Sequence, residues 1–191
     1  IAKLFDSDGD GKANLIGCTA GWACERVINH HLEVYGLEDT VEQIQGNYSS
    51  LLADILVRYR QGKPILFFAW KPHWFSSILR EGENVEWLSV PFTSLVGTME
   101  NFTEKDTLFN DKNIGFPIDN VRILANKKFL KANPVAKRLF EQIEIPLEDV
   151  SIEQEKVKNG ENKPIDIRHH AEEWIVNHQG LFDSWLEIAK N

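Results

Sequence analysis

The chain has 191 residues, 42% of them hydrophobic and 26% charged, with a formal net charge of -8 at pH 7. Such a length fits one large domain or two small ones, and the apolar content builds a core rather than a disordered chain. The acidic balance argues against non-specific nucleic-acid binding and against docking to anionic lipid, and its plainest consequence is solubility.

No apolar run approaches the ~20 residues of a transmembrane helix. The first residue is Ile1 rather than Met, so the sequence reads as beginning after a removed segment. A short apolar start, Ile1 to Phe5, leads into Asp6 to Leu15 (DSDGDGKANL), a loop dense in Asp and Gly. Next comes Gly17 to Gly36 (GCTAGWACERVINHHLEVYG). Two cysteines bracket a Thr-Ala-Gly-Trp-Ala turn, and Val27, Ile28, His31, Val34 and Tyr35 then recur at helical spacing up to the stop signal Gly36. Tyr48 to Arg60 (YSSLLADILVRYR) reads as an amphipathic helix, capped by Asn47 or Ser49 and ended by Gly62.

Pro64 to Trp70 (PILFFAW) is a continuous apolar run, as in a strand of a parallel sheet buried on both faces. Its carboxyl end carries Trp70, where open α/β sheets place ligands. Pro72 to Leu79 predicts a short helix, and Val85 to Val90 and Val121 to Ala125 predict strands, with a polar loop between Ser94 and Gly115. The rest is helix-forming: Asn133 to Ile143, Leu147 to Lys158, Asp166 to His178 and Leu181 to Ala189. Helix-strand alternation followed by a helical tail predicts an α/β fold.

Four constellations could carry chemistry. A helix N-terminus offers free N–H groups and a positive dipole end to an anion, and an adjacent tryptophan face attracts a cation. Trp22 beside a helix that starts inside or just after this turn, together with Trp70, therefore suits a small molecule with both charges, with core or rim packing as the alternative, and spacing alone does not choose among six tryptophans. Asp6, Asp8, Asp10 and Gly11 match the opening of a calcium loop, but its twelfth position is Gly17 where a bidentate Glu is needed. An ordinary Asp-Gly turn is the simpler expectation, with a calcium-stabilised extracellular module as the alternative. His30-His31 and His169-His170 diverge around a helix and read as solvated residues rather than metal ligands. Cys24 with a histidine could form a thiol nucleophile. Cys18, six positions away, offers instead a small disulfide loop and an oxidising compartment. The spacing itself leaves a reduced pair open.

GCTAGWACERVINHHLEVYGL resembles the Gly-Cys-x-x-Gly-Trp-x-Cys-Glu signature of the substrate-binding proteins of glycine betaine/proline ABC importers, the ProU-like or OpuAC family. FDSDGDGKANLIGC, QGNYSSLLAD, RYRQGKPILFFAWKPHW, VEWLSVPF, GFPIDNVRILANK and HAEEWIVNHQGLFDSW are similar to family segments in family order, over nearly the whole chain.

The resemblance implies a type II periplasmic-binding-protein-like α/β fold and no enzymatic activity or cofactor. It implies a periplasmic or extracytoplasmic location, a zwitterionic ligand such as glycine betaine, and a membrane permease as partner. It places Trp22 and Trp70 in an aromatic box around the ligand's trimethylammonium group, the Ala23 and Cys24 N–H groups on its carboxylate, and a disulfide between Cys18 and Cys24. Ala23 departs from the glycine common in relatives, which leaves the amide but adds a Cβ. The family's N-terminal segment, with a third box tryptophan and a histidine, has no counterpart here. Residues 1–117 then correspond to the second lobe and 118–191 to the C-terminal return into the first. The chain alone is expected to bind weakly.

Overall fold

The computed structural model describes residues 2–190. In chain order the elements are α1 (Ala2–Phe5), β1 (Ala13–Ile16), α2 (Ala23–Val34), β2 (Val41–Ile44), α3 (Tyr48–Arg60), α4 (Phe75–Ile78), α5 (Glu104–Thr107), β3 (Leu108–Phe109), β4 (Lys112–Asn113), α6 (Lys127–Ala132), α7 (Pro134–Gln142), α8 (Leu147–Lys158), α9 (Pro164–Asn177) and α10 (Gln179–Lys190). They divide into two compact units, Ile1–Ala69 with Glu81–Asp119, and Trp70–Arg80 with Asn120–Asn191.

The first unit is built on a β-α-β step. β1 and β2 pair in parallel with Ala13 opposite Val41 and Ile16 opposite Ile44, and a parallel pair needs a crossover such as α2 supplies. The buried face of α2 (Val27, Ile28, Leu32) and that of α3 (Leu51, Leu52, Ile55) carry the apolar side chains of this unit's core, at the spacing read from the sequence. Asn47 caps α3 by accepting from the Ser50 N–H at 3.2 Å.

The Pro64–Trp70 run joins the other side of β1 through a single parallel bridge, Ile16 to Phe67. Ile16 donates to the Leu66 carbonyl at 2.9 Å and accepts from the Phe68 N–H at 2.8 Å. Its side chains are only half-buried, rather than covered on both faces. Val85–Val90 makes an isolated bridge, Glu81 to Val85, and no strand. The loop expected from Ser94 to Gly115 contains the β3–β4 hairpin, whose two turn residues Asn110 and Asp111 have φ of 48° and 61°, the left-handed pair of a tight hairpin turn.

The second unit is helical. The helices expected near 133–143, 147–158, 166–178 and 181–189 are present as α7 to α10, joined by α6. Pro134 stands at the first position of α7, where its missing N–H has no intrahelical role. Val121–Ala125 is not a strand: Val121, Ile123 and Leu124 are exposed, Leu124 by 94%. An apolar pentapeptide becomes a strand only where a neighbour accepts its ladder bonds, and among the described residues none pairs with it.

Candidate functional site

The loop from β1 into α2 is held from several sides. The Gly17 N–H continues the sheet ladder to the Ile44 carbonyl at 2.9 Å. A Cβ on Gly17 would meet the Gln43 side chain at 2.6 Å, so only glycine passes there without displacing it. Cys18, fully buried, is bonded to Cys24 in a disulfide, which ties the end of the sheet to the first turn of the helix. Gly21 turns the chain at φ +89°, a conformation that favours glycine, and the Trp22 N–H reaches the Thr19 carbonyl at 3.1 Å.

α2 then starts at Ala23 with Trp22 in extended geometry as its N-cap, and no side chain caps that end. The Ala23 and Cys24 N–H groups are the first two of the helix and have no intrahelical acceptor. Glu25 reaches back instead to the Gly21 N–H. This bond, together with one from Gln45, holds its carboxyl below the usual carboxylate range. The site thus presents a helix N-terminus, an aromatic side chain exposed by 43%, and a disulfide that fixes the two in register.

Trp22 does not stand alone. Its ring centroid lies 5.7 Å from that of Tyr48, which is buried, donates its hydroxyl to the Phe68 carbonyl at 3.0 Å and donates its backbone N–H to Thr19 Oγ1 at 3.2 Å. Burial raises the Tyr48 phenol's pKa, so it stays a neutral hydrogen-bond donor. In the sequence Tyr48 stands out only as the first residue of the helix to Arg60. Its one available signal was an aromatic side chain directly after a helix cap.

Trp70 belongs to the second unit. It is half-buried, and its ring lies 4.7 Å from that of His73, which in turn lies 5.4 Å from Trp74. Lys158 places its Nζ 3.8 Å from the centre of the Trp74 ring. His73 accepts from the Phe75 N–H through Nδ1 at 3.3 Å. Burial, aided by the Lys158 charge, lowers its pKa, which suits a ring nitrogen acting as acceptor.

The other tryptophans sort by their surroundings. Trp74 already carries a cation. Trp174 stacks on Trp185 at 6.0 Å and donates to Asp149 Oδ2 at 2.9 Å, while Trp185 is buried. Trp87 has a buried Nε1 without a partner among the described residues.

Three further expectations meet the structure here. Ligand-type oxygens of Asp6, Asp8 and Asp10 lie within 4.8 Å of one another, but the carboxylates already bond their own loop. Asp6 accepts from Gly9 N at 2.6 Å and Gly11 N at 3.0 Å, and Asp10 accepts from Lys12 N at 2.8 Å, the pattern of Asx turns. The disulfide leaves Cys24 no thiol for nucleophilic chemistry. The histidines, expected to be solvated, include two that are buried. His31 meets the Ser94 carbonyl through Nε2 at 2.9 Å, and His170 lies between Glu153 and Glu161. Each found a polar partner off its own helix, which residue spacing along the helix does not show.

Residues 1–177 match the family described as the substrate binding domain of ABC-type glycine betaine transport system. The chain is 47% identical over 190 residues to the glycine betaine-binding periplasmic protein OusX of Dickeya dadantii, covering 100% of this chain and 57% of that protein. It is 42% identical over 189 residues to the glycine betaine/proline betaine-binding periplasmic protein of Salmonella typhimurium, covering 99% of this chain and 56% of that protein. The corresponding Escherichia coli protein is 43% identical over 189 residues, with the same coverage of 99% and 56%. The chain therefore spans little more than half the length of these relatives. Among solved structures, lactococcal OpuAC in its closed-liganded conformation with glycine betaine matches at a TM-score of 0.54 and 20% identity, over 91% of this chain and 57% of that one. At that identity the likeness is one of fold, the type II periplasmic-binding-protein fold. By its sequence match over almost its entire length and by this shared fold, the chain belongs to the family of substrate-binding domains of ABC-type glycine betaine transport systems.

Proposed function

We propose that this chain is ligand-capturing sequence of a periplasmic or extracytoplasmic binding component of an ABC importer, with glycine betaine or a related quaternary amine as its ligand. One observation carries the reading: an exposed tryptophan forms the N-cap of an α-helix whose first amides no side chain caps. A quaternary ammonium has no hydrogen to donate, so aromatic faces are the means of holding it, and a carboxylate suits helix-start N–H groups. The reading assigns the carboxylate to the Ala23 and Cys24 amides and the ammonium to Trp22. Trp70 is assigned to the ammonium from the resemblance. The disulfide supports the reading by holding Trp22 and the amides in one rigid turn, which lowers the ordering cost of binding.

Residues 1–117 are assigned to the second lobe of such a protein and 118–191 to the return into the first. The names of the relatives, all betaine-binding periplasmic proteins, support the ligand class and location. A permease partner follows from the transport system that the family serves. The test is titration calorimetry of the 191-residue chain with glycine betaine. Trp22→Ala and Trp70→Ala are each expected to weaken binding by roughly tenfold. Unchanged affinity in both variants would sink the reading.

A further inference from the structure

One face of α8 carries a row of polar side chains. Ser151, Glu155 and Lys158 stand at i, i+4 and i+7 of that helix, a spacing that puts them in one row. All three reach the Trp70–Arg80 stretch. Ser151 Oγ lies 3.2 Å from Ser76 Oγ, Glu155 Oε2 lies 2.6 Å from Ser77 Oγ, and Lys158 Nζ lies over the Trp74 ring at 3.8 Å. The same two hydroxyls also lie 2.6 Å from carbonyls of the stretch itself, Ser76 Oγ from that of His73 and Ser77 Oγ from that of Trp74, so each shares its one proton between the stretch and α8.

α4 in this stretch is only four residues long, too short to hold its shape unaided. Its conformation must come from what it rests on. The row on α8 supplies a hydroxyl, an anion and a cation at three successive points. Trp70 stands at the head of the stretch, with its ring against that of His73, which is against Trp74.

We propose that Ser151, Glu155 and Lys158 are positioning residues for Trp70: the row holds the Trp74–Ser77 turn, and through the tilted ring contacts of Trp74 with His73 and of His73 with Trp70 it sets the orientation of the Trp70 indole. Lys158 has a second effect in the same device. Its ammonium lies over the Trp74 ring, so Trp74 is already engaged with a cation from its own chain. The inference rests on the assignment of Trp70 to the ligand's ammonium group, and its test separates the two.

The experiment uses the full chain with Lys158→Met, Lys158→Arg and Glu155→Gln. Lys158 is solvent-exposed at the end of α8, so its replacement keeps the fold, which the melting temperature checks. In ligand-free protein, NMR follows the Trp70 indole N–H resonance, assigned by its loss in Trp70→Ala, and the titration of His73. Lys158→Met and Glu155→Gln are expected to shift the Trp70 resonance. Lys158→Met raises the His73 midpoint, and Lys158→Arg, which keeps a cation on the ring, restores both signals. With glycine betaine, Lys158→Met is expected to weaken binding by roughly fivefold, with Lys158→Arg near wild type. A Trp70 resonance unmoved in both Lys158→Met and Glu155→Gln overturns the positioning role, whatever the ligand does. Undiminished betaine binding in Trp70→Ala overturns the ligand assignment instead and leaves the ligand-free result to judge the row.

Discussion

His170 joins three pieces of backbone with one ring. Its Nδ1 meets Glu153 of α8 at 3.1 Å and its Nε2 meets Glu161 of the following loop at 3.0 Å, while it sits on α9 itself. The bond to Glu153, then that to Glu161, raises its pKa against a smaller opposing effect of burial and of Lys156. Lys156 also pairs with Glu173 at 3.6 Å, so the imidazolium faces two acidic groups and one basic group that is itself engaged. A histidine raised in this way contributes stability that is fully present below its unfolded pKa of about 6.5 and is lost as pH rises through the higher folded value. The melting temperature of wild type should therefore exceed that of His170→Asn by more at pH 6 than at pH 9. An equal gap at both would show that the ring acts through packing alone. His31 works in the opposite direction. Burial lowers its pKa against the bond to Ser94, so its contribution holds above the unfolded value and is lost as pH falls through the folded one. Neither behaviour follows from the two His-His pairs in the sequence, because the groups that shift each ring are brought by other elements.

At the scale of elements, the disulfide turn is where sequence and structure agree most closely. Gly17, Cys18, Gly21, Trp22 and Cys24 each have a local reason: a close approach to Gln43, a cross-link, a positive φ, an N-cap and the other half of the cross-link. Apart from Gln43, which β2 brings to Gly17, all act within a few residues of chain, so the turn is legible from the sequence motif, with the cross-link implied by the family resemblance. Closing so short a loop restricts the unfolded chain by about 2 kcal/mol. Reduction should lower the melting temperature and, on the proposed function, weaken betaine binding with it, since Trp22 and the helix amides are no longer locked to the sheet. Mass spectrometry under non-reducing conditions should find the native protein two hydrogens lighter than its reduced form. Two alkylatable thiols in native protein would refute the bond. The strands show the reverse case. PILFFAW makes one bridge, and VEWLSV and VRILA make no strand, because a strand is completed by its neighbour. Helices α3 and α8 needed no neighbour to close their hydrogen bonds, and both were readable to the residue.

For the whole molecule, the division into two units follows neither a glycine-rich linker nor a shift in composition. The second unit takes the eleven-residue span from Trp70 to Arg80 out of the middle of the first, and the hydrogen bonds of Ser76 and Ser77 to α8 account for that placement. Between the units the chain from 118 to 126 has no regular structure and is largely exposed. Limited trypsin digestion should cut first at Arg122, giving fragments of residues 1–122 and 123–191, because exposed backbone without ladder or helix bonds enters a protease cleft most readily. First cleavage within α2 or α8 would contradict the division. No helix among the described residues is long and apolar enough to cross a membrane.

The sequence by itself determined the α/β class, the positions of the longer helices, the family, and the one turn in which Trp22, Ala23, Cys24 and the disulfide implied by the family lie together. These depend on spacing, on glycine conformation and on short motifs, all of which act over a few residues. Tertiary structure alone decided that Tyr48 stands beside Trp22, that Lys158 covers Trp74, that His170 lies between two carboxylates, and that Trp70 belongs with the helical second unit. Each of those facts joins residues far apart in the chain, and the side chains' own chemistry permits many partners until the packing of the fold selects one.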